Sequence, residues 1–182
     1  MKNLFLVFLI GFSISISAAD FQVTSPTISE GGTLNNKHVF DQFGCKGENL
    51  SPSLKWTNAP LGTKSFAVTV FDLDAPTGSG WWHWTLVNIP ANITELKEGA
   101  NKKNLPKGVV EGRTDFGKPG FGGPCPPAGD KPHRYVFTVY ALKTAKLDIN
   151  SDSSGALVGY NIGFTSLAKA SITINYGRVI EK

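Results

Sequence analysis

The run Ser65-Phe66-Ala67-Val68-Thr69-Val70-Phe71 decides the fold class. Side chains on a strand alternate between faces, so Phe66, Val68 and Val70 share one side, and Ala67, Thr69 and Phe71 the other. Both sides are apolar except for one threonine, the pattern of a strand covered on both faces. Trp84 to Ile89 (WTLVNI) and Tyr135 to Leu142 (YVFTVYAL) repeat this richness in β-branched and aromatic residues. Phe21 to Thr24, Ser53 to Trp56 and Ala170 to Tyr176 are further expected strands. Helices are few: one begins within Ser153 to Gly159, and Thr165 to Lys169 reads as a short helical turn before the last strand. With 20 glycines and 11 prolines, much of the remainder is turn and loop. The class is mainly β. The longest irregular stretch runs from Glu111 to Pro132, and a loop of that length in a compact domain is usually functional or tied down.

Lys2, the apolar run Leu4 to Ile16 and the small residues Ser17-Ala18-Ala19 describe a secretory signal peptide over 1–19, cut before Asp20. The apolar run is short for a spanning helix and no other stretch approaches about 18 apolar residues, so no transmembrane anchor is expected after cleavage. The mature chain, 20–182, suits one domain around one core. The formal net charge of +4 is mild and the lysines form no stripe, which argues against a nucleic-acid partner. The two cysteines, Cys45 and Cys125, both fall in Gly-rich loops of the exported part. An even count in an oxidising compartment favours a disulfide, and two cysteines alone do not make a structural zinc site.

Chemistry concentrates in two segments. The first, Asp72-Leu73-Asp74-Ala75-Pro76, leads through Gly78-Ser79-Gly80 to Trp81-Trp82-His83-Trp84. The second leads from Gly122-Gly123-Pro124-Cys125-Pro126-Pro127 to His133-Arg134-Tyr135. Asp72 and Asp74 share a face if the strand persists, and diverge if it has already turned, one then orienting a histidine while the other supports the turn. Tyr135 falls on the face of His133, and Arg134 on the opposite one. Gly122 and Gly123 let backbone approach a ligand and can offer N–H groups to an anion, beside a wall stiffened by Pro126 and Pro127. Protonated His83 or His133 and the Tyr135 hydroxyl would add donors, with Asp72 raising the proton affinity of a neighbouring imidazole. A metal site from Asp72, His83 and His133 lacks a fourth ligand, and no metal or cofactor is expected. No G-x-S-x-G elbow supports a serine hydrolase, and Arg113 and Asp115 read as a pair bracing their loop.

Taken together these motifs resemble the two signature regions of the phosphatidylethanolamine-binding protein family. The resemblance is closest to its bacterial Raf-kinase-inhibitor-like branch of YbhB/YbcL type, and to the exported members in particular. It extends from Phe21 to Tyr176 and includes NLSPSLKW, VNIPA and SGALVGY. The resemblance implies a β-sandwich-like domain with a large central antiparallel sheet, a smaller sheet and a few short helices. It also implies a pocket at one end of the large sheet for phosphate, acetate or a phospholipid head group. Carried over by motif position, that pocket is built from Asp72, His83, His133 and Tyr135, with Gly123 and Pro126 on the loop that closes it and Asp74 supporting the turn. The usual DPDAP reads DLDAP here, with Leu73 in place of the rigid proline, and Asp130-Lys131-Pro132 lengthens the spacer before His133. A Cys45–Cys125 bond, as in exported members, would brace the pocket loop. The implied function is a periplasmic, non-catalytic binding protein for a small anionic ligand or head group. A protein-interaction module of protease-inhibitor type is the second reading. A weak acid–base enzyme using His83 or His133 is the third. An exported chain meets no cytosolic kinase, so no kinase partner carries over.

Overall fold

The computed structural model describes residues 19–101 and 103–180; the expected signal sequence up to residue 18 lies outside them. Among the described residues, eight strands form two antiparallel sheets. β1 (Gln22–Thr24), β2 (Leu54–Thr57) and β5 (Glu95–Leu96) make the smaller sheet, with β2 in the middle. The larger has the order β6-β4-β3-β7-β8, from β6 (Val110–Glu111), β4 (Trp81–Pro90), β3 (Ser65–Asp72), β7 (His133–Leu142) and β8 (Ser166–Tyr176). The one α-helix among the described residues, α1 (Gly155–Thr165), precedes β8.

The two-sided apolar pattern of Ser65–Phe71 has its physical counterpart here. β3 is the central strand, and all its residues except Phe71 are buried. Phe66, Val68 and Val70 meet Trp84, Leu86, Phe137, Val139, Ile172 and Ile174 in the main core, which Leu54 and Trp56 of the smaller sheet close from above. On the opposite face Ala67, Val87 and Leu142 pack against Leu147, Ile149 and the α1 residues Val158 and Ile162.

Two expectations shift. The strands bearing the histidines start earlier than their β-rich runs suggest, at Trp81 and His133, so both imidazoles stand within strands instead of just before them. Thr165 to Lys169 is not a separate helical turn. α1 continues to Thr165 and β8 begins at once, because Ser166, Ala168 and Lys169 pair with Leu142, Ala141 and Tyr140 of β7. A ladder anchored on a buried strand outweighs weak local helix propensity. The helix itself starts where the sequence suggests, with the Ser154 hydroxyl accepting from the Leu157 N–H.

The start of α1 is fixed by packing against Trp82. A Cβ on Gly155 would overlap the Trp82 side chain, while Gly159 lies over the far edge of the same indole. Alanine is a better helix former than glycine by about 1 kcal/mol, yet overpacking costs about 1–3 kcal/mol. Gly155→Ala is therefore expected to destabilise the protein, by up to about 2 kcal/mol in urea unfolding. A gain in stability would show that Trp82 does not set the helix position.

Candidate functional site

Sheet register assembles the site before any loop is considered. Asp72, the last residue of β3, pairs with Trp81 of β4 on one side and Tyr135 of β7 on the other. Directly paired residues project from the same face, and His83 and His133 lie two positions along from Trp81 and Tyr135. Five polar or aromatic side chains thus gather at one end of the large sheet, on the face that carries the main core. They line a cleft of about 230 Å³ with Phe43, Phe116, Thr77, the Ala75-Pro76 turn, Cys125, Pro126 and Pro127. A roomier cleft of about 470 Å³ lies beside the disulfide, lined in part by Lys46 and Arg178. The Arg178 guanidinium there is committed to the Pro126 and Gly44 carbonyls, so the smaller cleft is the one with convergent polar groups.

The two aspartates diverge because β3 ends at Asp72. The Asp72 carboxylate accepts the Asp74 N–H through Oδ1 at 2.8 Å, and its Oδ2 lies 2.8 Å from His133 Nδ1. One buried side chain therefore both holds the turn and orients an imidazole. Asp74 turns outward and receives the backbone N–H and guanidinium of Arg134, at 2.8–2.9 Å. Those hydrogen bonds hold its carboxyl well below the usual carboxylate range. Leu73, which replaces the usual proline, donates its N–H to the Arg134 carbonyl at 3.1 Å. A proline would forfeit that bond, so the β3–β7 pairing reaches one residue further here.

His83 and His133 are not equivalent. His83 Nδ1 lies 2.6 Å from the Gly122 carbonyl, which fixes the proton on Nδ1 and leaves Nε2 as the free ring nitrogen. Complete burial pushes its pKa down to about 4, against which the Gly122 carbonyl and the Asp72 charge act as smaller opposing effects. His83 is thus a neutral imidazole near pH 7, contrary to the protonated form expected from its residue type. His133 stands between two carboxylates, Asp72 on Nδ1 and Asp130 at 3.6 Å from Nε2. An acid–base role would fall to this Asp72–His133 pair, since Asp72 orients His133 and not His83.

The Tyr135 hydroxyl is fully buried and has no hydrogen-bond partner within the protein. Burial, then the charge and the hydrogen-bonding pull of the neighbouring Asp72 carboxylate, push its pKa up, so it is a neutral donor close to Asp72 but with no well-formed hydrogen bond. The indole N–H of Trp81, in the same wall, is also buried and unpartnered. A buried donor without an acceptor costs about 1–3 kcal/mol, and two in one cleft mark a place where a ligand or water supplies the acceptor. Nothing in the sequence separates this Trp81 N–H from the core and rim packing that such an aromatic run usually serves. Asp130 was visible only as part of a lengthened spacer.

The closing loop departs from expectation in one respect. Pro126, Pro127 and Cys125 line the cleft, but Gly123 does not. Its N–H is already donated to Asn49 at 2.7 Å, and the Gly122 N–H to the His83 carbonyl at 2.9 Å. Neither amide is free for an anion. A Cβ on Gly123 would collide with the His38–Phe40 backbone, so this glycine serves a close backbone crossing behind the wall. Asp115 braces its loop through the Trp82 backbone, accepting its N–H at 2.7 Å, instead of through Arg113. Cys45 and Cys125 are joined, tying the cleft wall to the Gly44–Cys45 turn.

The depressed His83 pKa has a stability consequence. Above about pH 6.5 the imidazole is neutral in both folded and unfolded chains and sets no pH dependence. As pH falls toward about 4 only the unfolded chain takes up the proton, so stability is lost on acidification. The gap corresponds to about 3 kcal/mol. His38, also held down by burial, adds in the same direction. Chemical denaturation should show the unfolding free energy falling steadily from pH 7 to 4.5, and a flat profile there would contradict a buried neutral His83.

Comparison with known proteins agrees with this architecture. The family description "Phosphatidylethanolamine-binding protein" matches residues 24–177. The UPF0098 protein YbcL of Escherichia coli (strain K12) is 57% identical over 180 residues, covering 97% of this chain and 98% of its own. YbhB of the same organism is 49% identical over 154 residues, covering 84% of this chain and 97% of its own. The crystal structure of E. coli YbcL superposes with a TM-score of 0.85 at 58% identity, covering 90% of this chain and all of that one. A homologue from Chlamydia trachomatis, CT736, gives 0.74 at 29% identity over 89% and 99% of the two chains. The register-built cleft, the two-sheet architecture and these matches together place the chain in the phosphatidylethanolamine-binding protein family.

Proposed function

We propose that the protein is a periplasmic, non-catalytic binding protein whose cleft holds the anionic group of a small ligand or phospholipid head group. The observation that carries this reading is the pair of buried, unpartnered donors, the Tyr135 hydroxyl and the Trp81 indole N–H, beside the imidazoles of His83 and His133. Donors with no acceptor of their own are what an oxyanion would satisfy. The surrounding Phe43, Phe116, Pro126 and Pro127 exclude water and strengthen each of those bonds. At about 230 Å³ the cleft fits a phosphate or carboxylate with a short substituent, while the body of a lipid would remain outside. Export to the periplasm is supported by the N-terminal sequence and agrees with the Cys45–Cys125 disulfide.

Charge sets the terms of binding. Asp72 and Asp130 oppose an incoming anion, and Asp130 covers the outer nitrogen of His133. Asp130 is partly exposed and must swing away for that nitrogen to donate. His83 offers a lone pair at Nε2, so the bound anion either carries a proton itself or brings one onto the imidazole.

Titration with inorganic phosphate and with phosphoethanolamine, followed by NMR, tests the reading. Saturable shifts are expected at the rings of His83 and His133 and in the loop from Gly122 to Pro127. His133→Ala should weaken binding at least tenfold, and Asp130→Asn should tighten it severalfold by removing the competing carboxylate, as expected for charge-assisted bonds. Absence of shifts at millimolar ligand, or weaker binding in Asp130→Asn, would contradict the anion cleft.

A further inference from the structure

α1 is a surface helix without a polar outer face. Val158 and Ile162 point into the packing beneath it, while Ala156, Leu157, Tyr160, Gly163 and Phe164 face outward. The helix, GALVGYNIGFT, contains no charged residue. Leu157 is 47% exposed, Tyr160 64% and Phe164 65%, and the two rings lie 4.7 Å apart. The apolar surface continues past the helix end through exposed Leu167 at the start of β8 to Leu61, fully exposed in the turn before β3, where Gly62 lies against Leu167. Surface helices normally turn charge outward, and a contiguous apolar patch marks an interaction site.

A rim of lysines surrounds the far end of this patch. The Lys143 N–H donates to the Thr165 carbonyl at the end of α1, and the Lys64 N–H to the carbonyl of neighbouring Leu142. Lys169 pairs with Tyr140, which packs on the helix side of the sheet, so Lys169 emerges on that side too. All three lysines are exposed, and none forms an ion pair among the described residues. From Ser153 to Ile180 the chain has no aspartate or glutamate.

We propose that the outer face of α1, with Leu61 and Leu167 and the rim of Lys64, Lys143 and Lys169, docks the protein on an anionic phospholipid surface. Tyr160, Phe164 and the leucines enter the boundary between head groups and acyl chains, and the lysines meet the lipid phosphates. A second copy of this chain fits less well, because its matching rim carries the same sign. The surface lies on the opposite face of the large sheet from the anion cleft, so the two act independently.

Co-sedimentation with vesicles tests this. The chain should sediment with phosphatidylglycerol–phosphatidylcholine vesicles, much less with phosphatidylcholine alone, and be released by high salt. The double variant Tyr160→Ser, Phe164→Ser should lose at least about tenfold in partitioning. Each of Lys64→Ala, Lys143→Ala and Lys169→Ala should lose about fivefold. Lys46→Ala, beside the disulfide and outside both the patch and the anion cleft, should sediment like the unaltered chain. All these positions are exposed, and circular dichroism verifies that each variant is folded. Failure to sediment, equal binding to neutral vesicles, or unchanged binding by the double variant would overturn the proposal. So would a dimer in solution that the double variant abolishes.

Discussion

The buried contact between Asp72 and His133 organises this molecule's functional end. It sits where the central strand of the large sheet stops, and both partners are almost wholly removed from water. Burying a carboxylate is costly unless its oxygens are satisfied, and here one oxygen holds the turn at Asp74 while the other faces the imidazole. The turn, the end of β3 and the orientation of His133 are therefore one solution to one electrostatic problem. Removing the Asp72 carboxylate would undo all three, which is why the residue belongs to the fold as much as to the site.

Around that contact the protein divides labour between backbone and side chains. The close glycine crossings behind the wall spend their amides on Asn49 and on the His83 strand, which leaves the cleft's donors to side chains. The disulfide and the Arg178 clamp on the Pro126 carbonyl then hold the wall from outside. A long irregular segment, 112–132, can be ordered in this way without secondary structure of its own.

Much of this was legible in the sequence because it rests on local pattern. β-branched and aromatic runs gave six of the strands, and the two-sided apolar character of Ser65–Phe71 gave the central one. The grouping of Asp72, His83, His133 and Tyr135 followed from motif resemblance, and strand register explains it physically. What stayed hidden depends on contacts distant in sequence. Neutrality of His83 arises from burial among residues distant in sequence, which outweighs the opposing effect of a carbonyl 39 residues away. Gly123 signals a close approach, but glycine does not encode whether the approaching group is a ligand or the chain's own backbone. The unpartnered indole of Trp81 has no local signature, and Asp130, only three residues before His133, meets the imidazole through an irregular turn whose path no residue pattern encodes.

The central claim is that the cleft receives an anion through neutral donors and a neutral His83, so that a proton must accompany the charge. Calorimetry of acetate binding near pH 7.5, in buffers of different ionisation enthalpy, counts that proton directly, because acetate brings none of its own at that pH. Uptake approaching about one proton per acetate is expected, whether it resides on the imidazole or on the carboxylate. Binding with no proton uptake, or with release, would mean that the cleft recognises its ligand with histidines already charged, and the account given for His83 would be wrong.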